Sequence, residues 1–326
     1  DHGTRPPATR KEVAFVRKLG RLWGVPVQIL HRKIHRKGGE SWEQKAREVR
    51  YEALTRLARR HRCGAIALGH TQDDQAETVL IWILRGTGTT GLAGIPPVRE
   101  VKTGVRHPSR HRAGGQAGAR HLRVIRPLIG CSRTEVEAHL KAHRIRPMID
   151  STNDSPRFLR NRIRHELIPL LERQYNPQVR RHLAQLAQTV REEIEAWAPQ
   201  LQREFRRAAV VKGSRVKLNR RRLRVLPTAL RRGVLRMAVE RMQGDCRGFR
   251  RSHWVGIDEL LFNGTGKGLD LPRGFRAEPD QASLWLTSKF GTLKSREDRE
   301  DREDREDRED REDRENGKNE RRRCRR

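Results

Sequence analysis

The order of apolar patterns in the first ninety residues limits the folds open to this chain. Residues 11–23 have the apolar spacing of a helix and precede a short strand-like run, VPVQIL, at 25–30. Residues 41–61 repeat the helical pattern and precede the apolar run GAIALGH, which ends at His70. Helices that alternate with buried strands are typical of a parallel sheet covered on its faces. The sequence therefore predicts an α/β domain with its chemistry at the carboxyl ends of the strands.

A different pattern follows this domain. From Pro177 to Phe205 apolar residues recur every three or four positions, which predicts a long amphipathic helix. Further helices are predicted at 227–242 and over HWVGIDELLFNG, with two strand-like pieces, KGLDLPRG and ASLWLT. From Arg296 six copies of Arg-Glu-Asp contain no apolar residue and predict disorder. We therefore predict an α/β domain at 1–172, a second, mostly helical domain at 173–290 and a disordered charged tail at 291–326.

The charge of the chain favours a polyanionic partner. The sequence has 73 Lys and Arg against 41 Asp and Glu, a formal net charge of +32, and the repeated tail is itself net acidic. Phosphate neutralisation and counterion release make nucleic acid the leading candidate, although an arginine-rich proteome would also explain the excess. The sequence has no signal peptide, no apolar run of membrane-spanning length and no C-x-x-C pair. We expect a cytoplasmic protein that is neither membrane-bound nor built on disulfides.

The stretch GHTQDDQAET brings one histidine and three acids to the start of a helix. Thr71 fits the N-cap and Asp74 the reciprocal capping acid, and the helix N-terminus favours carboxylates. Capping and the charge of the helix N-terminus account for one or two of the three acids. Asp73, Asp74 and Glu77 can also converge on one face beside His70. Such a cluster could hold Mg²⁺, orient a nucleophile or pair with neighbouring arginines, and the local pattern leaves all three open.

Two further segments are candidates for ligand contact. Arg85 and the turn at Gly86–Gly88 suit a backbone that approaches a phosphate closely, although a glycine-rich turn alone is weak evidence. A polar turn at 150–154 precedes a predicted helix whose basic residues lie between positions 157 and 165. Turn capping and a solvated basic face explain that second segment as well as a binding surface does.

Three segments together resemble the tRNA(Ile)-lysidine synthetase family of the PP-loop ATP pyrophosphatase group. They are GHTQDDQAETVLIWILRGTGTTGLAGIPPV, IRPLIGCSRTEVEAHL and DSTNDSPRFLRNRIRHELIPLLE, and the similarity covers residues 1 to about 180, then weakly to about 288. The resemblance implies an adenine nucleotide alpha hydrolase-like fold. It also implies that ATP adenylates the C2 oxygen of the wobble cytidine in a CAU-anticodon tRNA(Ile), after which L-lysine displaces AMP. Mg²⁺ is an implied cofactor, and a homodimer is left open.

The resemblance also implies three groups of site residues. The catalytic group comprises His70, Asp73, Asp74, Glu77 and Arg85. The nucleotide group comprises Gly69, His70, Gly86, Thr87 and Gly88. The substrate or tRNA group comprises Asp150, Asn153, Arg160, Asn161 and Arg164. Asp74 would ligate Mg²⁺, or one of the acids would bind the lysine ammonium.

One part of the family pattern does not occur in this sequence. The family has an S-G-G-x-D-S loop after its first strand to bind pyrophosphate, and this chain opens instead at DHGTRP. We expect the sequence to be truncated, and a chain without that loop to have little or no activity. A PP-loop tRNA thiolase is the nearest alternative, but such thiolases commonly carry C-x-x-C pairs. A noncatalytic RNA-binding protein derived from a synthetase is the alternative from another class.

Overall fold

The structure of the chain is a computed structural model that describes residues 6–32, 34, 42–101, 122–148, 158–246, 248–263 and 268–288. Residues Asp150 and Asn153 and the repeated tail lie outside these ranges. The chain folds into two compact units, one ending at Ile194 and the other beginning at Glu195. Each unit is described separately below.

The first unit contains most of the predicted helices and a small mixed sheet. Its elements are α1 (Pro6–Leu22), α2 (Trp42–Arg60), β1 (Ala65–Ala67), α3 (Gln72–Leu84), α4 (Thr89–Leu92), β2 (Val98–Glu100), β3 (Arg123–Ile125), α5 (Arg133–Ala142), α6 (Leu159–Arg162), a π-helical turn (Ile163–Leu167), α7 (Ile168–Gln174) and the first part of α8 (Val179–Ala208). Strands β1 and β3 are parallel, with Ile66 opposite Val124, as the alternating pattern predicts. Strand β2 adds an antiparallel edge to β3 that the sequence did not predict. Helix α2 packs on the sheet through Ala58.

The strand predicted at residues 25–30 is wrong, because this segment joins no sheet in the described part of the chain. Pro26 has no N–H to donate to a strand ladder. The N–H of Val25 donates instead to the Gly20 carbonyl (2.8 Å) and closes the end of α1. The side chain of Val27 lies so close to Gly20 that a Cβ at that position would clash with it. The apolar run therefore packs back on α1.

The π-helical turn between α6 and α7 lets two isoleucines share the core. Ile163 and Ile168 are fully buried beside Ala76 and Leu80 of α3. The Ile168 N–H donates to the Ile163 carbonyl, a bond that spans five residues. Residues five apart are about 140° apart around a regular α-helix, whereas the wider turn brings them to one face. This turn fixes how the basic helix, which we define as α6 together with the π-helical turn (residues 159–167), meets α3.

The second unit is a five-stranded sheet with helices on one face. Its elements, after the end of α8, are β4 (Ala209–Lys212), β5 (Arg215–Asn219), α9 (Arg220–Val225), α10 (Thr228–Gln243), α11 (Arg251–Asn263), β6 (Leu269–Leu271), a 3₁₀ turn (Pro272–Gly274), β7 (Phe275–Pro279) and β8 (Ser283–Ser288). The antiparallel strands lie in the order β4-β5-β8-β7-β6. Leu218 and Leu286 pack against Leu235 and Ile257 of the helices. The two predicted strand pieces are confirmed as β6 and β8, whereas β4, β5 and β7 were not predicted.

Among the described helices, none is long and apolar enough to cross a lipid bilayer.

Candidate functional site

The candidate site begins where β1 gives way to α3. His70 lies three residues after the last residue of the strand, and Thr71 is the N-cap of α3. The backbone N–H and the hydroxyl of Thr71 donate to Asp74 Oδ2 at 2.9 and 3.2 Å. The predicted cap is therefore confirmed, and it occupies one carboxylate oxygen of Asp74.

Glu77 is the buried centre of the site. Its side chain is 0% exposed and accepts hydrogen bonds from two guanidinium groups of the basic helix. Arg160 Nε donates to Oε2 at 2.7 Å, while Arg164 donates through Nε to Oε1 at 2.5 Å and through Nη2 to Oε2 at 3.1 Å. The two arginines are four residues apart, so both reach the same carboxylate. Paired charged hydrogen bonds of this kind are strong and directional.

Asp74 completes a cluster of two carboxylates and two guanidinium groups. Its Oδ1 accepts from Nη2 of Arg160 at 3.1 Å and of Arg164 at 3.4 Å. Every carboxylate oxygen of Asp74 and Glu77 therefore has a donor. The described residues contain no group of three or more His, Cys, Asp or Glu side chains suited to hold a metal ion. The arrangement corresponds to arginine pairing, one of the three alternatives that the local pattern left open, and the Mg²⁺ ligand suggested at Asp74 stays a prediction.

Asp73 belongs to a second set of contacts. Its Oδ1 accepts from Arg180 Nη1 at 2.8 Å, and its Oδ2 accepts from the backbone N–H of Arg133 at 2.7 Å. Arg180 also donates through Nε to Glu172 Oε1 at 2.6 Å. Asp73 thus connects α3 to the first residue of α5 and to the start of α8. The neighbouring acids Asp73 and Asp74 have separate partners.

Arg126 lies behind His70 and was not singled out from the sequence. The residue is 3% exposed, and its Nε donates to His70 Nδ1 at 3.3 Å. Its Nη1 donates to the Pro96 carbonyl at 2.6 Å, and its Nη2 reaches the Tyr51 hydroxyl at 3.5 Å. Because His70 Nδ1 accepts this bond, the neutral ring carries its proton on Nε2. His70 is therefore oriented as a donor at Nε2.

The surroundings of His70 favour a neutral ring at pH values below the usual histidine pKa. Burial lowers the pKa of His70 from 6.5; Asp74 acts in the opposite direction, and the charges of Arg126, Arg47 and Arg160 add to the lowering. Since the unfolded chain binds this proton first, stability is lost as pH falls below about 6.5. We expect the NMR titration of the His70 ring to have its midpoint below that value. Asp74→Asn should lower the midpoint further and Arg126→Met should raise it; a wild-type midpoint at or above 6.5 would contradict the prediction.

The glycine-rich turn lies at the other end of α3 from His70. Helix α3 has 13 residues and is therefore about 20 Å long, with Arg85 and Gly86–Gly88 beyond its last turn. The structure does not bring these residues to His70 and Asp74. The chain then returns along the helix, where Gln75 Oε1 accepts from the Ile95 N–H at 2.6 Å and Gln75 Nε2 donates to the Ile95 carbonyl at 3.2 Å.

Two glycines of this segment give a matched pair of substitutions. Gly94 has a φ of +60°, and a Cβ there would lie 2.5 Å from Gln75 Oε1, whereas Gly86 has a φ of +70° and open space around it. Gly94→Ala should lower the free energy of unfolding by about 2 kcal/mol, since backbone strain adds to a disturbed buried hydrogen bond. Gly86→Ala should cost about 1 kcal/mol from strain alone. Urea unfolding measures both, and equal losses would contradict the contact at Gln75.

The remaining site residues implied by the resemblance lie at separate places along the chain. Gly69 is exposed, with no atom within 4 Å of a Cβ built there. The Thr87 hydroxyl donates to the Gly88 carbonyl at 3.1 Å. Asn161 is partly buried on α6, next to Arg160. Asp150 and Asn153 lie outside the described residues.

Sequence reasoning missed Arg126, Gln75 and Arg180. Arg126 follows an apolar strand directly, and Arg180 opens a long helix that was assigned to another domain. A charged residue beside a buried strand was the available signal for Arg126.

Comparison with known proteins identifies the family of the chain. The model of the PP-loop domain matches residues 1–171. A tRNA(Ile)-lysidine synthase of Symbiobacterium thermophilum is 39% identical over 287 residues, which cover 85% of this chain and 55% of the relative. The corresponding enzyme of Thermobifida fusca is 30% identical over 276 residues, covering 83% of this chain and 76% of the relative.

A solved U34-tRNA thiolase of Methanococcus maripaludis matches with a TM-score of 0.41 and 17% identity over 56% of each chain, which is too weak to bear on fold or function. The chain spans a little over half the length of the Symbiobacterium relative. With the PP-loop match over half of its residues and the Thermobifida relative covered over three quarters of its length, the chain belongs to the tRNA(Ile)-lysidine synthase family.

Proposed function

We propose that this chain carries the lysine-ligating site of a tRNA(Ile)-lysidine synthase. In the proposed reaction ATP adenylates the C2 oxygen of the wobble cytidine in a CAU-anticodon tRNA(Ile), and the amine of L-lysine then displaces AMP. The products are lysidine, AMP and pyrophosphate. One observation carries the proposal: two sequence motifs, separated by 83 residues between Glu77 and Arg160, form a single ionic cluster at the carboxyl end of β1.

The four charged side chains of the cluster differ in exposure, and the difference suggests which of them positions the others and which contact a ligand. Glu77 is fully buried and its oxygens are occupied by arginines, so we assign it as a positioning residue. The side chains of Asp74, Arg160 and Arg164 are 20, 24 and 21% exposed and present their outer edges to a ligand. Guanidinium donors suit the phosphate of an adenylated intermediate or the lysine carboxylate, and the outer edge of Asp74 suits the lysine ammonium. Groups fixed in this way orient the amine for attack.

His70 and Gly69 are our candidates for contact with the nucleotide. The neutral ring of His70 offers an Nε2–H donor, and the open backbone at Gly69 permits close approach of a ligand. ATP would supply the adenylyl group that makes the cytidine C2 oxygen a leaving group. Arg85 and the turn at Gly86–Gly88, at the far end of α3, are proposed to contact another part of the bound RNA.

Mg²⁺ enters the proposal as the usual companion of nucleotide phosphates, and the partly exposed Asp74 would be its candidate protein ligand if it does not bind the lysine ammonium. We derive no step through the metal. The proposal places the reaction in the cytoplasm with its tRNA substrate.

The test is lysine incorporation into a CAU-anticodon tRNA(Ile) transcript with ATP and Mg²⁺. It compares this chain, a version extended upstream to include an S-G-G-x-D-S loop, and Asp74→Asn in the longer form. We expect lysidine from the extended form and none from Asp74→Asn. Asp245→Asn, an equal charge change in the second unit, should retain activity. Tight tRNA binding without product in any form would favour a noncatalytic RNA-binding protein, and sulfur transfer would favour a thiolase.

A further inference from the structure

The second unit contains a long segment of one charge. Residues 205–239 include twelve Lys and Arg and no Asp or Glu. Several of these cations have structural partners: Arg220 donates to the Leu261 and Asp280 carbonyls, and Arg231 donates to Asp258. Structural hydrogen bonds of this kind do not account for the cations of the β4–β5 hairpin, which are Lys212, Arg215 and Lys217.

The hairpin directs its cations to the outer face of the sheet. In β5, Val216 and Leu218 are fully buried against the helices, so Arg215 and Lys217 lie on the opposite face. Lys212 of β4 is directly opposite Arg215. Like charges in that register destabilise a strand pair. Neither Lys212 nor Arg215 lies within ion-pair distance of a carboxylate in the described residues, so a bound anion would relieve their repulsion.

A tryptophan lies beside these cations on the same face. Trp285 of β8 is opposite Lys217, whose Nζ lies 5.4 Å from the centre of the indole ring. The indole Nε1–H donates to Asp280 Oδ2 at 2.8 Å, which fixes the ring, and the residue is partly exposed. The hydrogen bond from Trp285 lowers the pKa of the Asp280 carboxyl, and the charge of Lys217 contributes to the lowering. An oriented aromatic ring beside cations is the arrangement that binds single-stranded nucleic acid.

The charge of the face ends at the next strand. Arg276 of β7 donates to Asp270 and to Glu278, both at 2.8 Å. Glu278 is opposite Trp285, whereas Arg276 is opposite Thr287. Among the described residues of this face, Lys212 and Arg215, which have no carboxylate within ion-pair distance, therefore lie on the β4–β5 side of Trp285.

We propose that this outer face binds a single-stranded stretch of RNA. One base stacks on Trp285, and the adjoining phosphates contact Lys212, Arg215 and Lys217. The identification of that RNA as the tRNA substrate rests on the function proposed above, whereas the binding of RNA to this face does not require the chain to be catalytically active.

Salt dependence of RNA binding tests the hairpin. Fluorescence anisotropy of a labelled CAU-anticodon tRNA transcript with the full chain, between about 50 and 200 mM salt, gives the slope of log K against log salt. Lys212→Gln/Arg215→Gln should reduce that slope by about 1.4, the value for two lost single-strand phosphate contacts. Arg250→Gln/Arg251→Gln removes the same charge from the start of α11 and should leave the slope nearly unchanged. Equal reductions from the two double variants would overturn the proposal.

Substitution of Trp285 tests the stacked base. Trp285→Leu should weaken RNA binding by about 10-fold without changing the salt slope, since one base stack is lost, and Trp285→Phe should retain most of the affinity. Circular dichroism and urea unfolding establish that both variants are folded. Unchanged affinity in folded Trp285→Leu, or equal weakening by Leu and Phe, would contradict stacking.

Two comparisons identify the ligand class and separate this inference from the proposed enzyme. A poly-glutamate peptide should compete poorly with RNA, and effective competition would indicate an acidic protein partner instead. Loss of lysidine formation with hairpin-dependent RNA binding intact would bear on the proposed function alone. Binding that is independent of the hairpin would overturn this inference alone.

Discussion

Glu77→Gln is expected to lower the free energy of unfolding by about 3–5 kcal/mol, the range for removing one partner of a buried ion pair. Glu77 is fully buried and accepts hydrogen bonds from both Arg160 and Arg164. The amide retains the shape of the side chain but leaves the two guanidinium groups with Asp74 as their remaining carboxylate. Urea unfolding followed by circular dichroism measures the loss, with the slope of the transition checked for two-state behaviour.

Glu172→Gln is the matched control for that experiment. Glu172 also pairs with an arginine, Arg180, but its side chain is 27% exposed. Removal of this charge should cost no more than about 1 kcal/mol, because solvent screens the exposed pair. If both variants lost less than about 1 kcal/mol, the buried cluster would not contribute to folding as its geometry indicates.

Arg164→Lys should reduce lysidine formation by about 100-fold, measured as kcat/KM in the extended form, although the charge is kept. Arg164 donates through two nitrogens to the two oxygens of Glu77. A lysine ammonium is a compact donor that does not reproduce this planar pair, and a displacement of about 1 Å at a reacting group is enough for a loss of that size. The free energy of unfolding should fall by only about 1 kcal/mol, because a charged hydrogen bond to Glu77 remains.

Arg173→Lys provides the comparison within the neighbouring helix. Arg173 is exposed on α7 and lies outside the ionic cluster. This substitution should leave lysidine formation near the wild-type rate. Near wild-type activity in Arg164→Lys would mean that charge alone, rather than the paired geometry, is required at this position.

Local patterns predicted the parts of the site that depend on neighbouring residues. Thr71 and Asp74 form the expected cap because both lie within the first turn of one helix. Strand β1 and the parallel pairing with β3 followed from the alternation of helical and apolar segments. The exception is residues 25–30, where the apolar spacing resembled a strand but Pro26 and the contact with α1 produced another conformation.

The sequence did not show which side chains pair with the three acids, because those partners are distant along the chain. The sequence allowed Asp73, Asp74 and Glu77 to bind a metal or to pair with arginines, and local spacing did not decide between these alternatives. Glu77 is 83 residues from Arg160, and His70 is 56 residues from Arg126. Which arginine reaches which carboxylate is set by the packing of α3 against the basic helix, where Ala76 meets Ile163.

The π-helical turn holds one residue more than the α-helical turn it replaces. Deleting the exposed His165 or Glu166 would place Ile168 four positions after Ile163, about 40° apart on a regular α-helix, so both isoleucines would still face α3. Regular α-helical bonding at the present length would instead put them about 140° apart and take one of them out of the core. The turn therefore accommodates one extra residue without displacing either isoleucine, and a chain shortened here by one exposed residue should keep the same core.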